Sequence, residues 1–352
     1  MKSYHIATVP GDGIGKEVIP ASVEVLNAVA SLCGFQLSYH NFEYSCEYYK
    51  EHGHMMPEDG LHRLRDSDGI FLGAVGYPGV PDHVSLWGLL IPIRRGFQQY
   101  VNLRPVRLLK GIHSPLAEPG EIDFYIVREN NEGEYSSIGG RLHEGTPYEV
   151  VVQESVFTRR GVDRVMRFAF ELANKRRQKL TSATKSNGII HTMPYWDERF
   201  AAIGQDYPAV ERDQFHIDIL AAHFVQHPDW FDVVVASNLF GDILSDLGPA
   251  VVGGMGIAPG ANINPEKEFP SMFEPVHGSA PDIAGKGIAN PIACIWTGAM
   301  MLDHLGEEEA AQLVVNAIEK TTDQAKVLTK DLGGKASTQE ATQAIIDNLG
   351  KG

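Results

Sequence analysis

The feature that most limits what this chain can fold into is a repeated exchange of short apolar runs and amphipathic stretches. YHIATVP is followed by the helix-like EVIPASVEVLNAVASLC, then by FQLSYHNFEY and HRLRDSDGIFLGAV. Short apolar runs separated by longer stretches of helical period are the pattern of βαβ units. The chain is therefore predicted to be α/β, with a largely parallel sheet covered by helices. The pattern changes between about Asn102 and Gly145. There EIDFYIVREN and, further on, YEVVVQESVFTRR alternate as antiparallel strands or a projecting arm do, which predicts a second architectural unit in mid-chain. The helical rhythm returns with GVDRVMRFAFELANKRR, the strand-like FDVVVAS, the glycine-rich VVGGMGIAPGA and a run of helices from Pro291 onward. At about 150 residues per domain, 352 residues predict two domains or one large α/β unit.

Composition enters as an exclusion. With 43% hydrophobic and 21% charged residues the chain is neither polar enough to stay disordered nor apolar enough for lipid. Its longest apolar tract, Ile288 to Leu302, is interrupted by Asn290, Pro291 and Thr297 and is shorter than the roughly 20 residues a bilayer requires, so it reads as a buried helix. A formal charge of -15 repels a phosphate backbone and argues against nucleic acid as partner. Any anionic ligand must then meet a local cluster of cations. Cys33, Cys46 and Cys294 are too few and too irregular for a disulfide framework or a cysteine zinc site, and PGDGIG follows the first apolar stretch where an export signal would continue. The expectation is a cytoplasmic protein without membrane segments.

Four segments carry candidate chemistry. VPGDGIGKE lacks the third glycine of the dinucleotide fingerprint, so it is either a tight strand-to-helix turn beside a cleft or a phosphate cradle. FDVVVASNLFGDILSDLGP predicts a buried strand leading into a short helix that Pro249 should stop. Asp242 and Asp246 are then i and i+4 on one face, where like charges repel unless a cation joins them. Oxygen donors without His or Cys favour Mg²⁺ or Mn²⁺, and Asp218, interrupting the apolar FHIDILAAHF, is a third candidate; the alternative is solvated surface acids. Arg94, Arg104 and Arg128 stand at junctions of apolar segments and, if they converge, suit a substrate with two carboxylates. Tyr135 and Lys185 lie in polar, glycine-containing segments and need cations or desolvation to act near neutral pH. FEPVHGSAPDIAGKGIANP, Phe273 to Pro291, is a long loop with apolar anchors. His277, Ser279 and Asp282 there offer a flat ring, a hydroxyl and an acceptor pair of the kind an adenosine uses, or the loop is purely structural.

Taken together, PGDGIGKEV, NLRP around Arg104, SNLFGDILSDLGP and EPVHGSAPDIAGKGIANP resemble the signatures of the β-decarboxylating dehydrogenases, the family of isocitrate and isopropylmalate dehydrogenases. Within it, YSCEYYKEHG, VSLWGLL, VVQESVFTRRGVDR and LTSATKSNG are most similar to the branch acting on tartrate and D-malate. The resemblance implies the family's own isopropylmalate dehydrogenase-like fold, a two-domain mixed sheet with flanking helices and not a Rossmann fold. Residues 1–101 plus 255–352 would form the larger domain with most of the NAD site, and residues 102–254 the smaller one with a dimerisation arm and the acids. It further implies Arg94, Arg104 and Arg128 as the substrate clamp, and Asp218, Asp242 and Asp246 around Mg²⁺ or Mn²⁺. Tyr135 and Lys185 become the acid and base, with Lys185 and Asp218 reaching the site from the partner of an obligate homodimer. NAD is assigned to the loop at His277, Gly278, Ser279, Ala280, Asp282, Ile283 and Asn290. Asp282 followed by Ile283 resembles the NAD-dependent members, because a carboxylate accepts from a free ribose and repels a 2′-phosphate.

The activity so implied is oxidation of a hydroxy dicarboxylate with β-decarboxylation, D-malate to pyruvate and CO₂, and whether a monovalent cation assists is left open. The alternatives are a 3-isopropylmalate dehydrogenase and a non-catalytic regulatory or binding subunit on the same fold. Specificity is expected between Pro78 and Arg94, where Ser85, Leu86 and Trp87 stand in place of the relatives' motifs and the Trp87 indole is expected to shrink the pocket.

Overall fold

The strands are β1 (Ser3–Gly11), β2 (Gln36–Asn41), β3 (Gly69–Ala74), β4 (Val101–Arg107), β5 (Asp123–Glu129), β6 (Gly139–Leu142), β7 (Val150–Gln153), β8 (Lys179–Thr184), β9 (Glu211–His216), β10 (Val233–Ala236), β11 (Ala261–Ile263) and β12 (Ser271–Phe273) in a computed structural model that describes residues 2–350. Ten of them form one sheet in the order β2-β1-β3-β12-β11-β4-β5-β10-β8-β9. Its two ends are parallel, as the βαβ rhythm predicts, and its centre is antiparallel where β12, β11, β4 and β5 meet. The mid-chain change of pattern is thus real. β5 runs antiparallel to β4 on one side and parallel to β10 on the other, while β6 and β7 leave the sheet as a separate hairpin whose residues are all exposed.

Helices cover both faces. β3 shows how one strand serves two cores: Phe71 enters the main apolar cluster, and its neighbours Ile70 and Leu72 enter a second cluster with Met55, Leu64, Leu89 and Phe97. Ile292–Leu305 is a buried helix, as its unbroken apolar face requires, and Gly306 ends it in the left-handed conformation.

One expected boundary is wrong. The helix that starts at Asn238 does not stop at Pro249 but runs to Val252, ending at Gly253 with φ 118°. Proline removes one intrahelical bond, yet the helix lies so close on β4 that a Cβ at Gly248 would come within 2.5 Å of Val106, and this packing holds its axis through the proline.

The PGDGIG turn is a structural support. Asp12 is fully buried and accepts from the backbone N–H groups of Cys46 (3.0 Å), Glu47 (3.3 Å) and Gly76 (3.1 Å). Gly13 has φ 54°, and a Cβ there would sit 2.0 Å from the Ser279 carbonyl oxygen, to which Ile14 N–H donates. Glu17, in the first turn of the helix Gly15–Cys33, accepts from the N–H groups of Gly285 and Gly287. The glycines therefore allow the first helix to dock against the Glu274–Pro291 loop.

Candidate active site

The antiparallel pairing of β4 with β5 sets Asn102 opposite Arg128 and Arg104 opposite Ile126. Side chains alternate along a strand, so Asn102, Arg104 and Arg128 share one face of the sheet. Arg94 joins them from the helix Ile91–Gly96, and Asp242 and Asp246 face them from the helix Asn238–Val252. The three arginines and two aspartates, with Tyr135 and Asn130, line a cleft of about 280 Å³.

All three arginines are buried. Arg94 Nη2 donates to Glu274 Oε1 at 2.6 Å. Arg104 Nε donates to Asn102 Oδ1 at 2.9 Å. Arg128 donates Nη2 (2.7 Å) and Nε (3.1 Å) to Asn238 Oδ1 and Nη1 to Asp242. Burial pushes the Arg104 guanidinium down to about 10; Glu274 opposes this and Arg94 and Arg128 add to it, so it stays charged at neutral pH. Burial and Asp242 raise the Asp246 carboxyl against the pull of Arg104 and Arg128. The Tyr135 hydroxyl donates to Asp242 Oδ2 at 2.8 Å, and burial together with that bond raises its pKa, which keeps the phenol a proton carrier.

Lys185 and Asp218 are elsewhere. Lys185 follows β8, Asp218 opens the helix Ile217–Gln226, and Lys185 Nζ donates to Asp218 Oδ1 at 2.7 Å on an exposed surface that does not line the cleft. Among the described residues no three His, Cys, Asp or Glu side chains gather to hold a metal. Within one chain the sequence-derived acids are thus split into a pair at the cleft and one outside it. Asp242 and Asp246, oxygen donors beside buried cations, fit a hard divalent ion that takes its remaining ligands from elsewhere.

The loop Glu274–Asn290 borders this region, with Val276 in the cleft wall. Its His277 Nδ1 lies 3.0 Å from the Gly278 carbonyl oxygen, while Nε2 is buried with no partner, and burial holds the ring neutral by lowering its pKa. Ser279 is buried, Ala280 has φ 40°, Asp282 is exposed and Ile283 packs against the main core. Asn290 uses its side chain within the chain, donating to Asp331 at 2.9 Å and accepting from Ile292 N–H at 3.0 Å. An orphaned imidazole nitrogen and a free carboxylate fit a ligand of nucleotide type.

Trp87 is a correction. It does not line the cleft; it is 39% exposed and carries the Arg95 guanidinium 5.2 Å from its ring centre. Leu86 lines the cleft instead. The reason is a widened turn in which Ile91 N–H reaches back five residues to the Leu86 carbonyl, turning Leu86 inward and Trp87 out.

Other participants carried no sequence signal of their own. Glu134 accepts from Ser237 Oγ (2.8 Å) and Leu239 N–H (3.0 Å), joining the Tyr135 loop to the start of the aspartate helix. Asn238 and Glu274 stood inside the motifs but only their arginine contacts reveal their part, and Asn102, Asn130 and Asn262 lie on separate elements.

Buried guanidiniums facing carboxylates and a phenol, beside a nucleotide-suited loop on an α/β scaffold, define a site for small polycarboxylates. The profile of the isocitrate/isopropylmalate dehydrogenase family matches residues 5–348. The chain is 61% identical over 355 residues to D-malate dehydrogenase [decarboxylating] of Escherichia coli strain K12, covering 98% of each. It is 57% identical to tartrate dehydrogenase/decarboxylase of Pseudomonas putida, covering 99% of this chain and 98% of that protein. The crystal structure of isocitrate dehydrogenase from Methylococcus capsulatus superposes with a TM-score of 0.88 at 33% identity, covering 98% of this chain and 99% of that one. The chain belongs to the isocitrate/isopropylmalate dehydrogenase family, whose dehydrogenases use a nicotinamide dinucleotide and a divalent metal.

Proposed function

We propose that this protein oxidises a small 2-hydroxy diacid, D-malate or tartrate, with NAD as hydride acceptor, and decarboxylates D-malate to pyruvate and CO₂. The observation that carries this reading is the opposition of Arg94, Arg104 and Arg128 to Asp242, Asp246 and Tyr135 across one small cleft. Its 280 Å³ lies just below the roughly 300–1,000 Å³ of pockets for larger ligands, which suits a four-carbon diacid. The names of the 61% and 57% identical relatives support the same substrates.

The arginine forks hold the two carboxylates. Arg104 Nη1 and Arg94 Nε are buried and without partners, so the clamp has donors to offer. Asp242 and Asp246 would hold Mg²⁺ or Mn²⁺, which would supply Lewis-acid polarisation of the substrate hydroxyl, and NAD would supply the hydride acceptor. Lys185 and Asp218 come from a second copy of the chain, which explains why they lie outside the cleft within one chain. There Lys185 accepts the hydroxyl proton. The C3–C4 bond then breaks, CO₂ leaves, and Tyr135, held by Asp242, donates its proton to C3. His277, Ser279 and the backbone from Gly278 to Ile283 hold NAD, with Asp282 accepting from the adenosine ribose and Asn290 keeping the loop in place.

The sheet order supports the division into residues 1–101 plus 255–352 and residues 102–254, since β2-β1-β3-β12-β11 come from the first and β5-β10-β8-β9 from the second. Among the described residues no helix is long and apolar enough to cross a membrane, and two of the three free cysteines are buried; we place the protein in the cytoplasm. The test is NADH formation from D-malate, tartrate, 3-isopropylmalate and isocitrate, with Mn²⁺ and with a chelator. Metal-dependent turnover of D-malate and tartrate is expected. Preference for 3-isopropylmalate, or no turnover of any of them, would sink the reading.

A further inference from the structure

Asn262 touches no arginine, yet three hydrogen-bond paths to the cleft meet at its side chain. It lies on β11, fully buried, opposite Asn102 of β4. Its Oδ1 accepts from Asn102 Nδ2 and from Asn130 Nδ2, each at 2.9 Å. Its Nδ2 donates to Glu274 Oε1 at 2.8 Å. Each partner leads on: Asn102 Oδ1 takes Arg104 Nε, Glu274 Oε1 takes Arg94 Nη2, and Asn130 itself lines the cleft. Two arginines on different elements are thus oriented through one neutral amide.

We infer that Asn262 is a positioning residue that sets Arg94 and Arg104 for the substrate carboxylates, an inference that rests on the proposed diacid reading of the cleft. Only an amide supplies both functions needed here. A carboxylate at this place would face Glu274 without a donor. An apolar side chain would leave the Asn102 amide without an acceptor in a buried setting, where a missing partner is costly, and the Asn130 amide with only the Gln99 carbonyl. With Asn102 unheld, the Arg104 fork gains rotamer freedom that substrate binding must remove. Glu274, its carboxyl raised by burial but lowered overall by Arg94, Arg104 and the Asn262 amide, would lose one of the groups that keep it ionised opposite Arg94.

The test compares Asn262→Ala, Asn102→Ala and the double variant, following KM for D-malate, KM for NAD, kcat and thermal midpoint. For Asn262→Ala an increase of about tenfold in the KM for D-malate is expected, the size of one buried hydrogen bond, with kcat and the KM for NAD within about twofold. Asn102→Ala should raise the same KM by less, and the double variant should exceed Asn262→Ala by no more than about twofold, because both lie on one path to Arg104. Soluble variants with unmoved KM for D-malate, or with equal shifts for D-malate and NAD, overturn the inference. If Asn262→Ala does not fold, Asn102→Ala decides on the same criterion. Wild type that turns over neither D-malate nor tartrate sinks the proposed function itself, whereas an active wild type with unmoved variants sinks only the positioning role.

Discussion

Arg128 has three nitrogens engaged by Asn238 and Asp242, which aims its guanidinium without leaving it free to rotate. A lysine at this position keeps the charge but loses the planar fork. Arg128→Lys is therefore expected to lower kcat/KM for D-malate by about 100-fold, the loss of roughly two charge-assisted hydrogen bonds, with the fold intact by circular dichroism. Retention of wild-type kcat/KM would remove Arg128 from the clamp. The next residue behaves differently. Glu129 is buried, and burial raises its carboxyl to about 7 even though the Asn131 and Glu132 N–H groups and Arg164 favour the anion. The folded chain then binds a proton more tightly than the unfolded chain, so the Glu129 contribution is complete below about 4.5 and disappears as pH rises through about 7. Between pH 5 and 8 wild type should lose stability relative to Glu129→Gln. Parallel pH profiles in denaturant unfolding would refute it.

At the scale of elements, the β6–β7 hairpin is the anomaly. Leu142 and Val151 are 62% and 61% exposed and Val150 and Val152 nearly half so, on two short strands with unpaired outer edges. Apolar side chains on an open hairpin have no reason to face water unless another surface covers them. On the proposed two-copy site, that surface is the same hairpin of a second chain. Val151→Glu is expected to convert dimers to monomers in sedimentation velocity and to lower activity in step. A wild type that is already monomeric, or a variant that dimerises unchanged, would count against this. The aspartate helix illustrates the complementary point. Its packing on β4 carries it past Pro249 and so sets how Asp242 and Asp246 face the arginines.

At the scale of the whole molecule, the separation of Lys185 and Asp218 from the cleft predicts a division of labour between copies. Lys185→Ala and Tyr135→Phe should each lower kcat by at least about 100-fold, since proton transfer by a placed side chain is worth that much. Mixed and allowed to exchange subunits, the two inactive variants should regain roughly a quarter of wild-type activity. Half the dimers are then mixed, and each mixed dimer holds one site with both residues intact. No recovery after confirmed exchange would place Lys185 and Tyr135 in the same copy's site or outside it. With an overall charge of -15, a dianion is repelled by the surface at long range, and on the proposed reading it is held where the three arginines outweigh that charge.

The α/β class, the mid-chain change to antiparallel pairing and the buried helix after Pro291 were all readable in the amino-acid order, because apolar periodicity is a local property. The acid pair was readable for the same reason, its i, i+4 spacing lying within one helix. Convergence of Arg104 and Arg128 was a matter of strand register, and Arg94 is brought to them by the packing of a separate helix. The outward turn of Trp87, the helix that outruns Pro249 and the amide junction at Asn262 were decided only by tertiary structure. The last two depend on contacts between segments distant in sequence, which no periodicity within a segment records, and the first on a widened turn that leaves the apolar pattern of its segment unchanged.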